Sequence, residues 1–292
     1  MLCRVWAVVK EVSQFKFSIT SKSEILMLPD LKKISEIIQK TAEVEILPLF
    51  QKLKDHEISE KKSGEIVTAA DINAERKLTE ALMAVTPGSV TVGEEAVTND
   101  PSILDRLKGD KPIWIIDPLD GTRNFANGVK CFAIIVAYCH GGETLAGWIY
   151  DPVNEMMFSA SKGEGTWVDD KRLEIKKSPS TIDMVGSVSK RHSDVLDKRR
   201  PSPDIPGVML RYRCVGREYT DLALGVLHFS EYGMLKPWDH AAGVLIHSEA
   251  GGFSAFTVDQ TAYFPGPTTQ KHFLAAANKD DWQELRELFV ET

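Results

Sequence analysis

Residues 114–125 carry the strongest chemical pattern in this chain of 292 residues. An apolar strand is predicted to lead into Asp117, where the following proline should end it, and Asp120 comes three residues later. Gly121 allows the backbone to approach a ligand closely, and Thr122 can begin a helix whose free N–H groups favour an anion. A cation site and a phosphate site would then be adjacent, although the same residues also fit a turn followed by a capped helix.

Three further acids stand next to apolar segments elsewhere in the chain. Glu94 follows a strand-like run, Asp71 precedes a predicted helix, and Asp239 opens another. Each has a structural explanation when taken alone, a solvated turn for Glu94 and a helix N-cap for the other two. Together with Asp117 and Asp120 they form a set of hard oxygen ligands, whereas no group of histidines and cysteines shows zinc spacing. The set predicts a magnesium site.

Composition and charge exclude several classes of protein. Hydrophobic residues make up 43% and charged residues 26%, which is typical of a globular chain rather than a disordered one. Lys+Arg number 35 and Asp+Glu 42, so the net charge of -7 provides no overall positive field for a nucleic acid. The four cysteines contain no Cys-x-x-Cys pair and indicate buried thiols in a reducing compartment.

Membrane and export segments are not predicted. No apolar run approaches the ~18 residues that span a bilayer, and residues 5–9 are too short for the ~7 to 15 apolar residues of a secretory signal. We therefore expect a cytoplasmic protein with no membrane partner and no nucleic-acid partner.

The hydrophobic pattern changes from helical to strand-like along the chain. Helices are predicted from Leu31 and over 72–85. Strands are predicted at 89–92, 113–116, 131–138, 145–150, 156–160, 184–188 and 273–277, with a hairpin turn at 168–171. Further helices are predicted at 219–229, from 239 and at 281–289. This mixture predicts a layered α+β or α/β structure of two intimate lobes. We divide it into an N-terminal extension (1–29), an N-terminal α+β lobe with most metal ligands (30–175) and a C-terminal α/β lobe with Asp239 (176–292).

Four motifs occur in an order that resembles the inositol monophosphatase family, within the magnesium-dependent, lithium-sensitive phosphatases. They are Val-Thr-Ala-Ala-Asp at 67–71, Gly-Glu-Glu at 93–95, Asp-Pro-Leu-Asp-Gly-Thr-Arg-Asn-Phe at 117–125, and Trp-Asp-His-Ala-Ala-Gly at 238–243 followed by Glu-Ala-Gly-Gly at 249–252. The resemblance covers roughly residues 30 to 290. It implies an α-β-α-β-α sandwich, a homodimer, and inhibition by Li⁺.

The resemblance also assigns two to three Mg²⁺ ions to named residues. Glu94, Asp117 and the backbone carbonyl of Leu119 would hold the first ion, and Asp117, Asp120 and Asp239 the second. A weaker third ion would use Glu94. Two ions about 3.5 to 4 Å apart can activate a water, neutralise phosphate oxygens and stabilise the departing alkoxide.

The same resemblance implies which residues bind the phosphate and orient the attacking water. The amides of Gly121 and Thr122 would bind phosphate oxygens. Asp71 would polarise Thr122, which helps to orient the attacking water, and would contact the third ion through water. In-line attack then needs little from the protein beyond positioning. The expected reaction is hydrolysis of a small phosphorylated metabolite.

The shared motifs leave the substrate and some functions open. Inositol phosphate, a sugar phosphate, histidinol phosphate and a 3′(2′),5′-bisphosphate nucleotide all remain candidates. A glycosidase also uses paired carboxylates, but it needs one acid kept protonated and no Gly-Thr anion site. A non-catalytic regulatory binding protein would be expected to lack one of the five acids, and all are present. The basic segment 190–200 fits a collar for a second phosphate, although the prolines after it favour a solvated loop.

Residues expected to contact substrate depart from the family pattern. In inositol-cleaving relatives a glutamate that contacts substrate hydroxyls lies seven residues before the tryptophan-linked aspartate, whereas here Tyr232 lies seven residues before Asp239 and Glu231 lies eight before it. Arg217 and Glu218 lie where relatives often carry small residues, so they either crowd the pocket or provide a replacement acceptor. These four residues are the candidates for substrate binding, and the chain is not expected to be a strict inositol monophosphatase.

Overall fold

The computed structural model describes residues 17–19, 25–61, 63–199, 202, 204–266 and 272–290. Most of the predicted extension, residues 1–29, lies outside these ranges. Within it, β1 (Phe17–Ile19) pairs with β2 (Ile25–Met27) in an antiparallel ladder.

Helices and strands alternate irregularly along the rest of the chain. The helices of the described part are α1 (Leu31–Thr41), α2 (Ala69–Val85), α3 (Glu94–Asn99), α4 (Thr122–Ala126), α5 (Lys190–Lys198), α6 (Val215–Leu224), α7 (Pro237–Glu249) and α8 (Lys279–Val290). A π-helical segment (Ala42–Ile46) continues α1, and 3-10 segments lie at Asp55–Glu57, Pro101–Lys108 and Thr181–Asp183. The remaining strands are β3 (Ile58–Glu60), β4 (Ile66–Thr68), β5 (Val90–Gly93), β6 (Ile113–Asp120), β7 (Ala133–His140), β8 (Glu143–Asp151), β9 (Met156–Ser161), β10 (Gly165–Val168), β11 (Lys171–Leu173), β12 (Val185–Ser187), β13 (Val208–Leu210), β14 (Phe229–Tyr232), β15 (Phe253–Phe256) and β16 (Phe273–Ala276).

Two large sheets form the framework. The larger has seven strands in the order β11-β10-β9-β8-β7-β6-β5, antiparallel except for the parallel pair β5 and β6. The smaller has five strands in the order β13-β12-β14-β16-β15, with β12 parallel to both of its neighbours. β3 and β4 form a separate hairpin.

Strand β6 shows why the large sheet is covered on both faces. Its side chains alternate across the sheet, so Trp114 and Ile116 join a core with α1 and α2, while Ile113 and Ile115 join a core with α6 and α7. All eight residues of β6 are buried. A continuous apolar run is the pattern expected for a strand packed between two helical layers.

The smaller sheet completes the stack of layers. Phe273 and Phe256 pack in the core that contains α6 and α7, whereas Phe229 and Leu274 pack on the opposite side with Trp282 of α8. The order is α1 and α2, the seven-stranded sheet, α6 and α7, the five-stranded sheet, then α5 and α8. This α-β-α-β-α sandwich confirms the predicted fold class.

The sheets also bear on the proposed lobes. The strands of the large sheet end at Leu173 and those of the small sheet begin at Val185. Helix α7, from the C-terminal part of the sequence, packs against β7, β8 and β9 of the large sheet. The two predicted lobes therefore share one core, and the boundaries 30–175 and 176–292 stay a prediction. None of the described helices combines the length and apolarity that a membrane crossing requires.

Two local predictions about termination and loops are wrong. The strand that reaches Asp117 does not end at Pro118 but runs to Asp120, because a bulge accommodates the proline. Segment 190–200, favoured above as a solvated loop, is helical over Lys190–Lys198. Ser189 caps this helix by accepting a hydrogen bond from the backbone N–H of His192. This N-cap serine is the helix-start signal that the prediction overlooked in favour of the basic residues and the prolines.

The helix predicted at 219–229 is also placed wrongly. Helix α6 begins four residues earlier, at Val215, and ends at Leu224, where Gly225 adopts a φ of 72°. Phe229 instead begins β14. Among the cysteines, Cys139 and Cys214 are buried as predicted, whereas Cys131 is partly exposed.

Candidate active site

A β-bulge presents the two aspartates of the central motif. Asp117 pairs with Ile135 of β7 and Asp120 pairs with Ala133, so β6 has one more residue than β7 between these two pairs. Pro118 lies inside this irregularity, where its missing N–H costs no ladder hydrogen bond. The amide of Leu119 donates to Asp117 Oδ1 at 3.0 Å, which fixes that carboxylate. Both aspartates line the same cavity.

Gly121 makes the turn from β6 into α4. Its φ of 85° lies in the left-handed region, and a Cβ atom there would lie 2.8 Å from the carbonyl oxygen of Cys131. No residue other than glycine satisfies both conditions without strain. Thr122 then begins α4, a helix of five residues whose first-turn amides have no intrahelical carbonyl partner.

The Thr122 hydroxyl lies between the motif and α2. Its oxygen is 2.9 Å from Asp71 Oδ1 and 2.9 Å from the carbonyl oxygen of Leu119. Asp71 is not the N-cap of α2, as its position suggested, because Thr68 takes that role. The amide and hydroxyl of Thr68 donate to Asp71 Oδ2 at 2.8 and 2.6 Å, so the capping box also holds the carboxylate facing Thr122. Burial raises the pKa of Asp71 to about 6, although hydrogen bonds from Thr68 and Thr122 oppose the rise.

Three acids from different elements converge beside this turn. Glu94 begins α3 after β5, Asp117 ends the regular part of β6, and Asp239 lies in the first turn of α7. One carboxylate oxygen from each lies within 4.8 Å of the others. Burial raises the pKa of Asp117 and Asp239 well above the ordinary aspartate value, and the neighbouring carboxylates raise it further. Such an arrangement favours a bound cation, which would relieve both the desolvation and the repulsion.

Asp120 lies at the other side of the same cavity. Its Oδ2 accepts a hydrogen bond of 2.6 Å from the amide of Gly216, at the start of α6. Burial raises its pKa to about 6, and the Gly216 amide opposes that rise. Leu119, whose carbonyl was assigned to the first ion, also lines the cavity.

Lys61 is a charged neighbour that the sequence reasoning missed. Its ammonium lies 2.8 Å from Glu94 Oε1 and 2.7 Å from Glu95 Oε1, and its side chain is 3% exposed. Burial alone would lower the pKa of Lys61, but the two glutamates offset it and the net shift is upward. Glu95, the neighbour of Glu94 in the chain, is buried, and its backbone amide donates to Glu75 at 2.7 Å. Lys61 comes 33 residues before Glu94, so no local motif links them.

The cavity around these acids is small and is lined by basic residues as well. Its volume is about 190 Å³. Besides the acids and the Gly121–Thr122 turn, it is lined by Glu65, Ile66, Arg123, Arg213 and Lys236. Lys236 pairs with Glu65 at 2.6 Å. Basic side chains in the lining of an acidic cavity suit a ligand that is itself anionic.

Sequence comparison with known proteins identifies the family of the chain. The sequence model of the inositol monophosphatase family matches residues 28–291. The chain belongs to the inositol monophosphatase family. A fructose-1,6-bisphosphatase/inositol-1-monophosphatase from Aquifex aeolicus is 30% identical over 213 residues, which cover 70% of this chain and 76% of the relative. A Nus factor SuhB from Pseudomonas aeruginosa is 32% identical over 213 residues, which cover 68% and 76%.

Solved structures show the same fold. An IMPase from Thermotoga maritima matches with a TM-score of 0.75 at 23% identity, covering 88% of this chain and 96% of that one. Membership of the inositol monophosphatase family confirms the resemblance found in the sequence, and it implies phosphatase activity.

Four residues predicted to contact substrate in this family member lie away from the cavity lining. Glu231 is buried between His192 and His272. Tyr232 is buried and stacks on Tyr219, with ring centroids 5.3 Å apart.

The two residues of α6 are also engaged elsewhere. Arg217 bridges Asp151 and Asp221 at 3.1 and 3.0 Å. Glu218 accepts hydrogen bonds from Ser187 and Ser230 at 2.7 and 3.0 Å. Their role in substrate binding, like that of Glu231 and Tyr232, stays a prediction.

Proposed function

We propose that the chain is a Mg²⁺-dependent phosphomonoesterase that hydrolyses a small phosphate monoester by attack of a metal-activated water. One observation carries the proposal: the carboxylates of Glu94, Asp117 and Asp239 converge within 4.8 Å, next to the glycine turn that opens α4. The carboxylates would bind a cation and the amides of the turn an anion, and a phosphomonoesterase needs both sites.

The residues of the site fit magnesium. All the side-chain donors are carboxylates, which are the ligands that magnesium prefers, and a bound cation would offset the repulsion within this partly buried acid cluster. Glu94, Asp117 and the Leu119 carbonyl would hold one ion, and Asp117, Asp120 and Asp239 the other. Magnesium bound there would lower the pKa of a water and neutralise the charge of the phosphate.

The chain itself contributes positioning. The Gly121 and Thr122 amides would hold phosphate oxygens, since the first turn of α4 leaves such N–H groups without helical partners. Thr122 would orient the attacking water, with Asp71 accepting the hydroxyl proton in the hydrogen bond of 2.9 Å. Asp71 is held by Thr68, so the hydroxyl has a fixed acceptor.

Two further features support a substrate other than inositol monophosphate alone. The carboxylate expected to accept sugar hydroxyls, Glu231, has a side-chain exposure of 0% and faces two histidines. Arg123, Arg213 and Lys236 are among the residues that line the cavity instead. We therefore propose that inositol 1-phosphate is at most one of several small phosphomonoesters that the enzyme accepts. Sites built for hydrogen bonding discriminate strongly against ligands that leave them unpaired.

A regulatory function is the second candidate, because two matched relatives are named Nus factor SuhB. The retained acids favour catalysis over a purely regulatory protein. A bisphosphate nucleotidase or a histidinol-phosphate phosphatase would use the same metal residues and would differ only in substrate. By analogy with the family, we also propose that Li⁺ inhibits the enzyme, that the enzyme is a homodimer and that it is cytoplasmic.

The testing experiment is phosphate release from a panel of phosphorylated metabolites, with saturating Mg²⁺ or with a chelator. The panel includes inositol 1-phosphate, fructose 1,6-bisphosphate, histidinol phosphate and a 3′(2′),5′-bisphosphate nucleotide. Release from at least one of them only with Mg²⁺ is expected, and no release from any would contradict the enzymatic proposal. A preference for inositol 1-phosphate above about a hundredfold, ~2.7 kcal/mol in activation free energy, would contradict the substrate proposal alone.

A further inference from the structure

A second cluster of potential metal ligands lies outside the catalytic cavity. His192 Nδ1 is 2.8 Å from Glu231 Oε2, and His272 Nδ1 is 3.1 Å from Glu231 Oε1. One potential ligand atom from each residue lies within 4.8 Å of the others. α5, β14 and the residue before β16 supply one ligand each. We propose that His192, Glu231 and His272 form a binding site for a divalent transition ion of the zinc class.

The donor set selects the ion. Two imidazole nitrogens and one carboxylate oxygen suit Zn²⁺ and related ions, whereas Mg²⁺ prefers oxygen ligands. Three protein ligands also leave a fourth position for water in a tetrahedral site. The two sites of the molecule therefore differ in chemistry, and saturation of the carboxylate site with magnesium leaves the imidazole site available.

Burial supplies a reason for a cation here. The Glu231 side chain is 0% exposed and that of His192 is 3% exposed. Within the described residues, the polar contacts of the Glu231 carboxylate are with these two imidazoles. A buried carboxylate is stabilised by a positive charge within contact distance, and a divalent ion bound between Glu231 and the two imidazoles would provide one. In that complex the Nδ1 lone pairs would be directed at the ion and the ring hydrogens would reside on Nε2.

The surroundings hold the ligands and leave an entry path. The His192 ring packs 5.4 Å from the His272 ring and 5.5 Å from the Phe289 ring, measured between centroids. Aromatic packing fixes ring orientation and keeps water from the carboxylate. His272 is 36% exposed, so an ion can reach the cluster from its side. Because 80 residues separate the two histidines, sequence spacing gives no sign of the site.

The test measures zinc bound to the full chain in the presence of magnesium. Protein stripped by a chelator is dialysed with micromolar Zn²⁺ and saturating Mg²⁺, and the metal is quantified by mass spectrometry. We expect one zinc per wild-type chain, with an X-ray absorption spectrum showing imidazole ligands. His272→Gln and His192→Gln should each lose this zinc, whereas His56→Gln, on an exposed 3-10 segment, should keep it.

Two results would overturn the proposal. One is a wild-type chain that retains no zinc when magnesium is saturating, which would make the cluster a hydrogen-bonded part of the core. The other is a folded His272→Gln chain that retains zinc as the wild type does. Circular dichroism verifies folding of each variant, and if His192→Gln does not fold, the wild-type stoichiometry and the partly exposed His272 still decide the question.

Discussion

At the scale of single residues, the Thr122 hydroxyl links α2 to the motif that follows β6. It contacts both Asp71 and the Leu119 carbonyl at 2.9 Å. Thr122→Val keeps the shape but removes the hydroxyl, so we expect kcat to fall by about 10²-fold or more, within the range for groups that handle protons. Thr122→Ser keeps the hydroxyl and should retain kcat within about tenfold on the same scale. Steady-state kinetics test the pair, and equal kcat values for the two variants would show that the hydroxyl has no role.

The acids illustrate which site residues a sequence can reveal. Asp117, Asp120 and Asp239 each belong to a short motif, and the structure brings all three to one cavity, so the motifs were enough to predict their proximity. No motif predicts Lys61, because its ion pair with Glu94 forms only when the residue after β3 meets the start of α3 in the folded chain. Glu231 was predicted to contact substrate, but its carboxylate instead contacts His192 and His272. These histidines lie 39 and 41 residues away in the sequence, so no local pattern revealed the contact.

At the scale of elements, the connection between β6 and α4 depends on Gly121. Gly121→Ala should destabilise the fold in two ways, through a positive φ and through overlap of the new Cβ with the Cys131 carbonyl oxygen 2.8 Å away. Gly142→Ala is the matched control, because its φ is 78° but no atom lies within 4 Å. The control should lose about 1–2 kcal/mol of unfolding free energy and Gly121→Ala a further ~1–3 kcal/mol.

Urea unfolding measures both free energies, and kinetics add a second readout. Gly121→Ala should also reduce kcat, since the shift moves the amides that we propose bind the phosphate, whereas Gly142→Ala should not. Equal destabilisation in the two variants would show that the close approach at Gly121 has no energetic consequence.

The elements themselves were predictable to different degrees. The strands of the large sheet follow from continuous apolar runs bounded by turn residues, and α2 and α7 from their periods and stops. The course of β6 through Pro118 was not predictable, because a bulge that tolerates the proline is set by the register with β7. The end of α6 at Gly225 was missed because the apolar pattern continues into β14.

At the scale of the whole molecule, buried histidines make stability depend on pH. The His247 side chain lies in α7 against the five-stranded sheet, and burial lowers its pKa from 6.5 to about 4. The unfolded chain binds a proton near pH 6.5 and the folded chain does not until about pH 4. The stability that His247 contributes is therefore complete above pH 6.5 and is lost as the pH falls toward 4.

His247→Leu should flatten this dependence. The difference in unfolding free energy between pH 7 and pH 4.5 should be smaller in His247→Leu than in the wild type by a few kcal/mol, since one pKa unit corresponds to about 1.4 kcal/mol. His56→Leu, at an exposed position, serves as the control and should keep the wild-type slope. Urea titrations across this pH range measure the slopes, and identical slopes for wild type and His247→Leu would mean that His247 titrates normally in the folded chain.

The central claim is that the carboxylate cluster binds the magnesium on which phosphate hydrolysis depends. The most direct measurement is the Mg²⁺ activation curve of phosphate release for wild type, Asp120→Asn and Asp105→Asn, with the best substrate of the panel. Asp120→Asn nearly preserves shape but removes the charge of a proposed metal ligand, whereas Asp105 is exposed and lies outside the cavity. We expect Asp105→Asn to match the wild type, and folded Asp120→Asn to lose activity by about 10³-fold or more at every Mg²⁺ concentration, equivalent to ~4 kcal/mol. An Asp120→Asn chain with wild-type activity, or a wild type whose activity is unaffected by magnesium removal, would contradict the account.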